Sequence, residues 1–155
     1  MASRDIHNVL HTVPLIVPVA ARTDNTAIVS AIIDTFGYES CEFVLVTGTN
    51  TDANATFAVT VEHGDDSGLS DTAAVGATSL VGTLALAGFA FGDDNECRKL
   101  GYIGPKRYVR LTVTPSGNDA GNIFNAGVAF SALRAWGRPR TRRSNKSRGC
   151  DGVAP

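Results

Sequence analysis

His7 and His11 stand four residues apart, a spacing that lets two imidazoles share a helix face and hold a zinc ion. Here they sit in a run broken by Pro14 and Pro18, with no carboxylate in a His-Glu-x-x-His relation, so they read as solvated arm histidines. His63 with Asp65 and Asp66 looks like half of an acid–base or metal pair, but at the end of an alternating stretch the same residues make a polar turn. The Asn- and Asp-bearing segment 48–54 lacks the ligand spacing of a calcium loop. No Gly-x-Ser-x-Gly elbow and no phosphate-cradling Gly-x-x-x-x-Gly-Lys-Ser/Thr run occurs. Asn54-Ala-Thr and Asn145-Lys-Ser fit the glycosylation pattern, which matters only in a secreted chain. No catalytic, metal-binding or cofactor-binding residue is assigned, and the expectation is a protein that is not an enzyme.

Cys41, Cys97 and Cys150 are odd in number and far apart, which excludes a disulfide framework and any Cys-x-x-Cys site. Reduced thiols are expected, with Cys41 packed in the core. Charge is more telling. Residues 1–133 hold seven of the 14 basic residues and 14 of the 15 acids, a balance of −7. The remainder holds seven bases and one acid, a balance of +6. An acidic body with an Arg-rich tail can neutralise phosphates, dock on an acidic protein surface, or simply stay hydrated. The tail has no interleaved aromatics for base stacking, so a protein surface is preferred to nucleic acid.

The elements that must carry these groups are strands. In Tyr108–Thr114 the residues Val109, Leu111 and Val113 alternate with Tyr108, Arg110, Thr112 and Thr114, the period of a half-buried strand. Pro115-Ser-Gly-Asn is expected to end it, and Gly101 with Gly104-Pro105 to kink the chain ahead of it. Ser40–Thr49 places Cys41, Phe43, Leu45 and Thr47 on one side, and Ala55–His63 places Phe57, Val59 and Val61 inward. These two read as a hairpin with a longish loop. Asn25–Asp34 reads as a buried strand, Thr78–Leu86 as a further one in a poorly patterned uncharged stretch, and Ile123–Leu133 as the last, with Ala126, Val128, Phe130 and Ala132 on one face. The Pro-containing apolar segment 1–21 reads as an extended arm that must be buried against its own sheet or a neighbour. The result is an all-β chain: one antiparallel β-sandwich or barrel-like domain over 22–136, an arm over 1–21 and a basic tail over 137–155. No run reaches the roughly 20 apolar residues of a membrane span and no signal peptide is evident, so a cytoplasmic origin and no membrane partner are expected.

Three stretches go further together. Asp34-Thr-Phe-Gly-Tyr-Glu-Ser with the Phe43-Val-Leu-Val strand after it, Val59-Thr-Val-Glu-His-Gly-Asp-Asp, and Lys99-Leu-Gly-Tyr-Ile-Gly-Pro-Lys-Arg-Tyr-Val-Arg-Leu resemble small head structural proteins of tailed bacteriophages, some of them capsid decoration (cement) proteins. The resemblance covers roughly residues 25–135. It implies a β-rich virion subunit on the capsid exterior, bound to the major capsid protein, commonly a homotrimer at three-fold positions, with no catalytic residues. Tail-tube, neck or fibre-associated parts are the nearest alternatives, followed by a nucleic-acid-binding module acting through the tail.

On that reading the expected contacts are Leu15, Ile16, Val17 and Val19 in the arm and Tyr102 beside the Gly-Pro turn. Arg138, Arg140, Arg142 and Arg143 in the tail and the apolar loop 72–92 complete the set. A symmetric lattice multiplies modest contacts of this kind into firm retention.

Overall fold

A computed structural model describes His7 and residues 9–132. Eleven strands form two antiparallel sheets around a shared core, so of the two expected architectures the chain takes the sandwich. The strands are β1 (Leu10–Ile16), β2 (Ile28–Val29), β3 (Ile33–Asp34), β4 (Ser40–Asn50), β5 (Thr56–Gly64), β6 (Ala73–Ala74), β7 (Leu80–Val81), β8 (Phe89–Ala90), β9 (Cys97–Tyr102), β10 (Tyr108–Ser116) and β11 (Ile123–Ala132). One sheet runs β1-β11-β4-β9-β7; the other runs β2-β10-β5-β6, with β3 also on β10 and β8 also on β5. A single helical turn, α1 (Leu84–Ala87), is capped by the Thr83 hydroxyl, which accepts from the Leu86 N–H.

Alternation decides the core as the sequence implies. Val109, Leu111 and Val113 of β10 are fully buried and face Phe57, Val59 and Val61 of β5, while Cys41, Phe43, Leu45 and Thr47 of β4 close the core from the other sheet. β10 runs through Pro115, which lies opposite Phe57, and turns only at Gly117 with φ +74°. Gly101 lies inside β9, and the chain reverses at Gly104-Pro105.

Three expectations are corrected. β4 and β5 form no hairpin: they lie in opposite sheets. β11 and β9 flank β4 on both sides, and the loop between β4 and β5 is tied to the β10–β11 connection. The Asp52 carboxylate accepts the Asp119 and Ala120 N–H groups at 3.0 and 2.9 Å, and the Thr51 N–H donates to the Asn122 carbonyl. Segment 25–34 makes two short strands rather than one. At the break, the Ser30 hydroxyl accepts the Leu111 N–H, and the Ala31 N–H turns to the Leu15 carbonyl in the other sheet. In 78–86 only Leu80–Val81 is a strand, and Leu84 onward is helical. Of the two alternatives open to the arm, its own sheet is the one taken: residues 10–16 form an edge strand antiparallel to β11, bulged between Pro14 and Ile16. An edge tolerates Pro14 because no further strand needs its missing N–H.

Candidate interaction surface

The groups first considered for chemistry are engaged structurally. Asp66 accepts the Gly68 and Ser70 N–H groups, and Asp71 accepts those of Asp65 and Asp66. These backbone bonds hold both carboxyls below their ordinary range. Asp65 is paired with Lys106. Burial pushes the Cys41 thiol up to about 11, so it is an inert core group, whereas Cys97 is exposed. Among the described residues no group of three His, Cys, Asp or Glu is placed to hold a metal, and no helix is long and apolar enough to cross a membrane.

Two of the arm residues and the turn residue expected at an interface are interior. Leu15 is 2% and Ile16 7% exposed, because the β1 bulge turns both side chains into the core between the sheets. Tyr102 is also 2% exposed. It ends β9 with its ring inward, and its hydroxyl lies 2.9 Å from His63 Nδ1, accepts the Lys106 N–H and reaches the Lys106 carbonyl at 3.2 Å. Its proximity to the Gly-Pro turn suggested a surface ring, yet the hydroxyl's partner lies on β5, 39 residues back. A Cβ on Gly104 would come within 2.6 Å of this ring, so only glycine lets the turn close over it. Val17 and Val19 are exposed, beyond the end of β1 and away from Tyr102. Arg138, Arg140, Arg142 and Arg143 lie outside the described residues.

The surface that remains unexplained is the outer face of the five-stranded sheet. The pairing places Phe130, Val128 and Ala126 of β11 beside Glu42, Val44 and Val46 of β4, with Thr12 and Pro14 of β1 on one flank and Lys99 and Cys97 of β9 on the other. Phe124 and Val46 are 48% and 41% exposed, and Val81 on β7 extends the same side. The core side of β11 carries Ile123, Asn125, Gly127, Ala129 and Ser131, so beyond Ile123 the larger apolar side chains of this strand point away from the core. The face first picked out as Ala126, Val128, Phe130 and Ala132 is therefore the outer one.

The other sheet is the internal control. Its outer face carries Ala58 and Thr60 of β5 and Thr112 and Thr114 of β10, with an Arg110–Glu62 ion pair at 2.9 Å braced by the Thr72 hydroxyl and one exposed valine, Val29 of β2, at its edge. One sandwich thus has one wet face and one apolar face. An antiparallel sheet facing water alternates apolar with polar residues, while one covered on both sides does not. That signal is partly legible in the sequence: Ser40–Asn50 carries apolar residues at both parities, and Ile123–Ala132 carries most of its larger ones at the outer parity, unlike β5 and β10.

Among the described residues, two of the open grooves are large enough to consider. One, about 390 Å³, runs beside the β1 bulge between Pro14, Val17 and Val128 and is continuous with the apolar face. The other, about 580 Å³, lies against Ala58 and Val59 beneath α1. Its one carboxylate, Asp93, is already spent on the Ala90 N–H and Arg98. Comparison with family models and with curated proteins finds no match to this chain.

Proposed function

We propose that the chain is a structural virion subunit without enzymatic activity that decorates and stabilises a tailed-phage capsid by binding the outside of the major capsid protein lattice. The observation that carries the structural role is the apolar outer face built from Val44, Val46, Phe124, Val128 and Phe130, opposite a polar one. An apolar patch of this kind on a domain of this size marks a surface made to be covered by protein. The choice of assembly rests on the three phage-like stretches around Asp34, Val59 and Lys99.

The test is co-sedimentation of the purified chain with capsids assembled from the major capsid protein of the same phage. Saturable retention together with raised thermal resistance of the shells is expected. Failure to pellet with shells overturns the reading. So does salt-sensitive DNA binding that disappears when residues 134–148 are removed, which would assign the chain to nucleic acid instead.

A further inference from the structure

The outer face of the five-stranded sheet is self-complementary. Along its apolar rows it carries one carboxylate, Glu42, and one ammonium, Lys99, and neither is held in an ion pair among the described residues. Glu42 lies opposite Gly101 and Lys99 opposite Val44, so the two charges are diagonal neighbours across β4 and β9. Val44 in turn lies opposite Val128 on β11. Consider a two-fold axis in the plane between two such faces, running diagonally over the Val44–Val128 pair. It sets Glu42 of one copy against Lys99 of the other, and Lys99 against Glu42, while the valines pack on their own counterparts. A foreign surface would need the reverse charges at the same diagonal; a second copy supplies them by symmetry.

Size and edges agree. The four main strands of this sheet have seven, ten, eleven and six residues. At about 3.3 Å per residue and about 4.8 Å between strands they present roughly 500 Å² of sheet plane per copy. At complete overlap two copies would cover at most roughly 1,000 Å², the lower bound for a specific interface. Edge-to-edge addition is poorly served: β1 carries Pro14 and a bulge, and β2, β3, β6, β7 and β8 have two residues each.

We propose that the occupant of this face is a second copy of the chain, giving an isologous face-to-face pair centred on Val44 and Val128 with reciprocal Glu42–Lys99 contacts. The inference rests on the structural role proposed above and assigns this face to a second copy, which leaves any capsid contact to other surfaces of the pair. Burial already raises the Glu42 carboxyl, with Lys99 opposing the shift, so a second ammonium brought close would hold it ionised.

The experiment is light-scattering mass measurement of the full chain across micromolar concentrations, with circular dichroism to confirm that each variant folds. Wild type should have the mass of a dimer. Val128→Arg should raise the dimer dissociation constant by about 100-fold or more, because it buries an unpaired charge. Thr60→Arg, on the opposite face, should leave it unchanged. Should Val128→Arg not fold, Glu42→Lys and Lys99→Glu decide: each alone should weaken the pair by roughly tenfold, and the double swap should restore it. A monomeric or trimeric wild type overturns the pairing, as does a dimer indifferent to these variants. Capsid co-sedimentation separates the two claims. A monomer whose shell binding is lost in Val128→Arg keeps the decoration reading and refutes the pair. A dimer that ignores shells keeps the pair and refutes decoration.

Discussion

Tyr102→Phe removes one oxygen and should cost far more than its size. The hydroxyl sits where β9 leaves one sheet and β10 enters the other, and it touches His63 Nδ1 at 2.9 Å and both the N–H and the carbonyl of Lys106 at 3.2 Å. It has one proton to give, so two bonds are firmly lost, and the part-buried Lys106 N–H is left without its acceptor. At about 1 kcal/mol net per bond, the two lost bonds give an expected loss of about 2 kcal/mol. The ring stays, with its edge-on contact to His63 at 5.7 Å, so packing is little changed. For a chain of this length the melting temperature should fall by roughly 4–8 °C. Urea and thermal unfolding followed by circular dichroism measure both. Tyr108→Phe is the control: Tyr108 lies on the outer face of β10 beneath the Arg107 guanidinium, and its loss should stay within about 0.5 kcal/mol. If the two substitutions cost the same, the hydroxyl does not brace the crossing.

Leu15→Ala should cost about 2–4 kcal/mol by opening a cavity between the sheets; a loss under about 0.5 kcal/mol would mean that β1 is not part of the folded body. For the same reason, deleting residues 1–20 removes an edge strand with two core side chains, and any loss of binding in that truncation should appear together with unfolding in the circular dichroism spectrum. Acid should destabilise the chain. Asp34, held down chiefly by its Arg107 hydrogen bond, Asp52 by the Ala120 and Asp119 N–H groups, and Glu62 by Thr72 and Arg110 all release protons more readily folded than unfolded. Their contribution is complete above the ordinary carboxylate range of about 4 and is lost as pH falls below it. Glu42, raised by burial, acts in the opposite direction. A melting temperature that fails to drop between pH 6 and about pH 3 would contradict this balance.

Strands with one wet face were readable from the sequence because their alternation is a local property. Val109, Leu111 and Val113, and likewise Phe57, Val59 and Val61, sit where period two places them. Which strands neighbour one another was not local. The five residues joining β4 to β5 look like a hairpin loop, but the Asp52 carboxylate binds amides about 67 residues further on and sends β5 to the other sheet. Leu15 and Ile16 looked like contact residues because Pro14 and Pro18 exclude a central strand; an edge position with a bulge satisfies both the prolines and the core. Tyr102 was misplaced because its hydrogen-bond partner, His63, becomes a neighbour only after the sheets close.

Edges and faces are two different ways for a β-protein to meet its own kind, and this chain treats them oppositely. Every edge is short or interrupted, which suppresses the open-ended strand addition that leads to fibres. The outer face of β4 and β11 is left apolar, where Thr or Lys at Val128 and Val44 would have broken the patch at its centre. A free monomer gains nothing from that choice, since apolar side chains at these positions add little to the core behind them. A face-to-face contact buries them and, unlike an edge, is used up after one partner. The same two features therefore favour a closed pair over a growing chain.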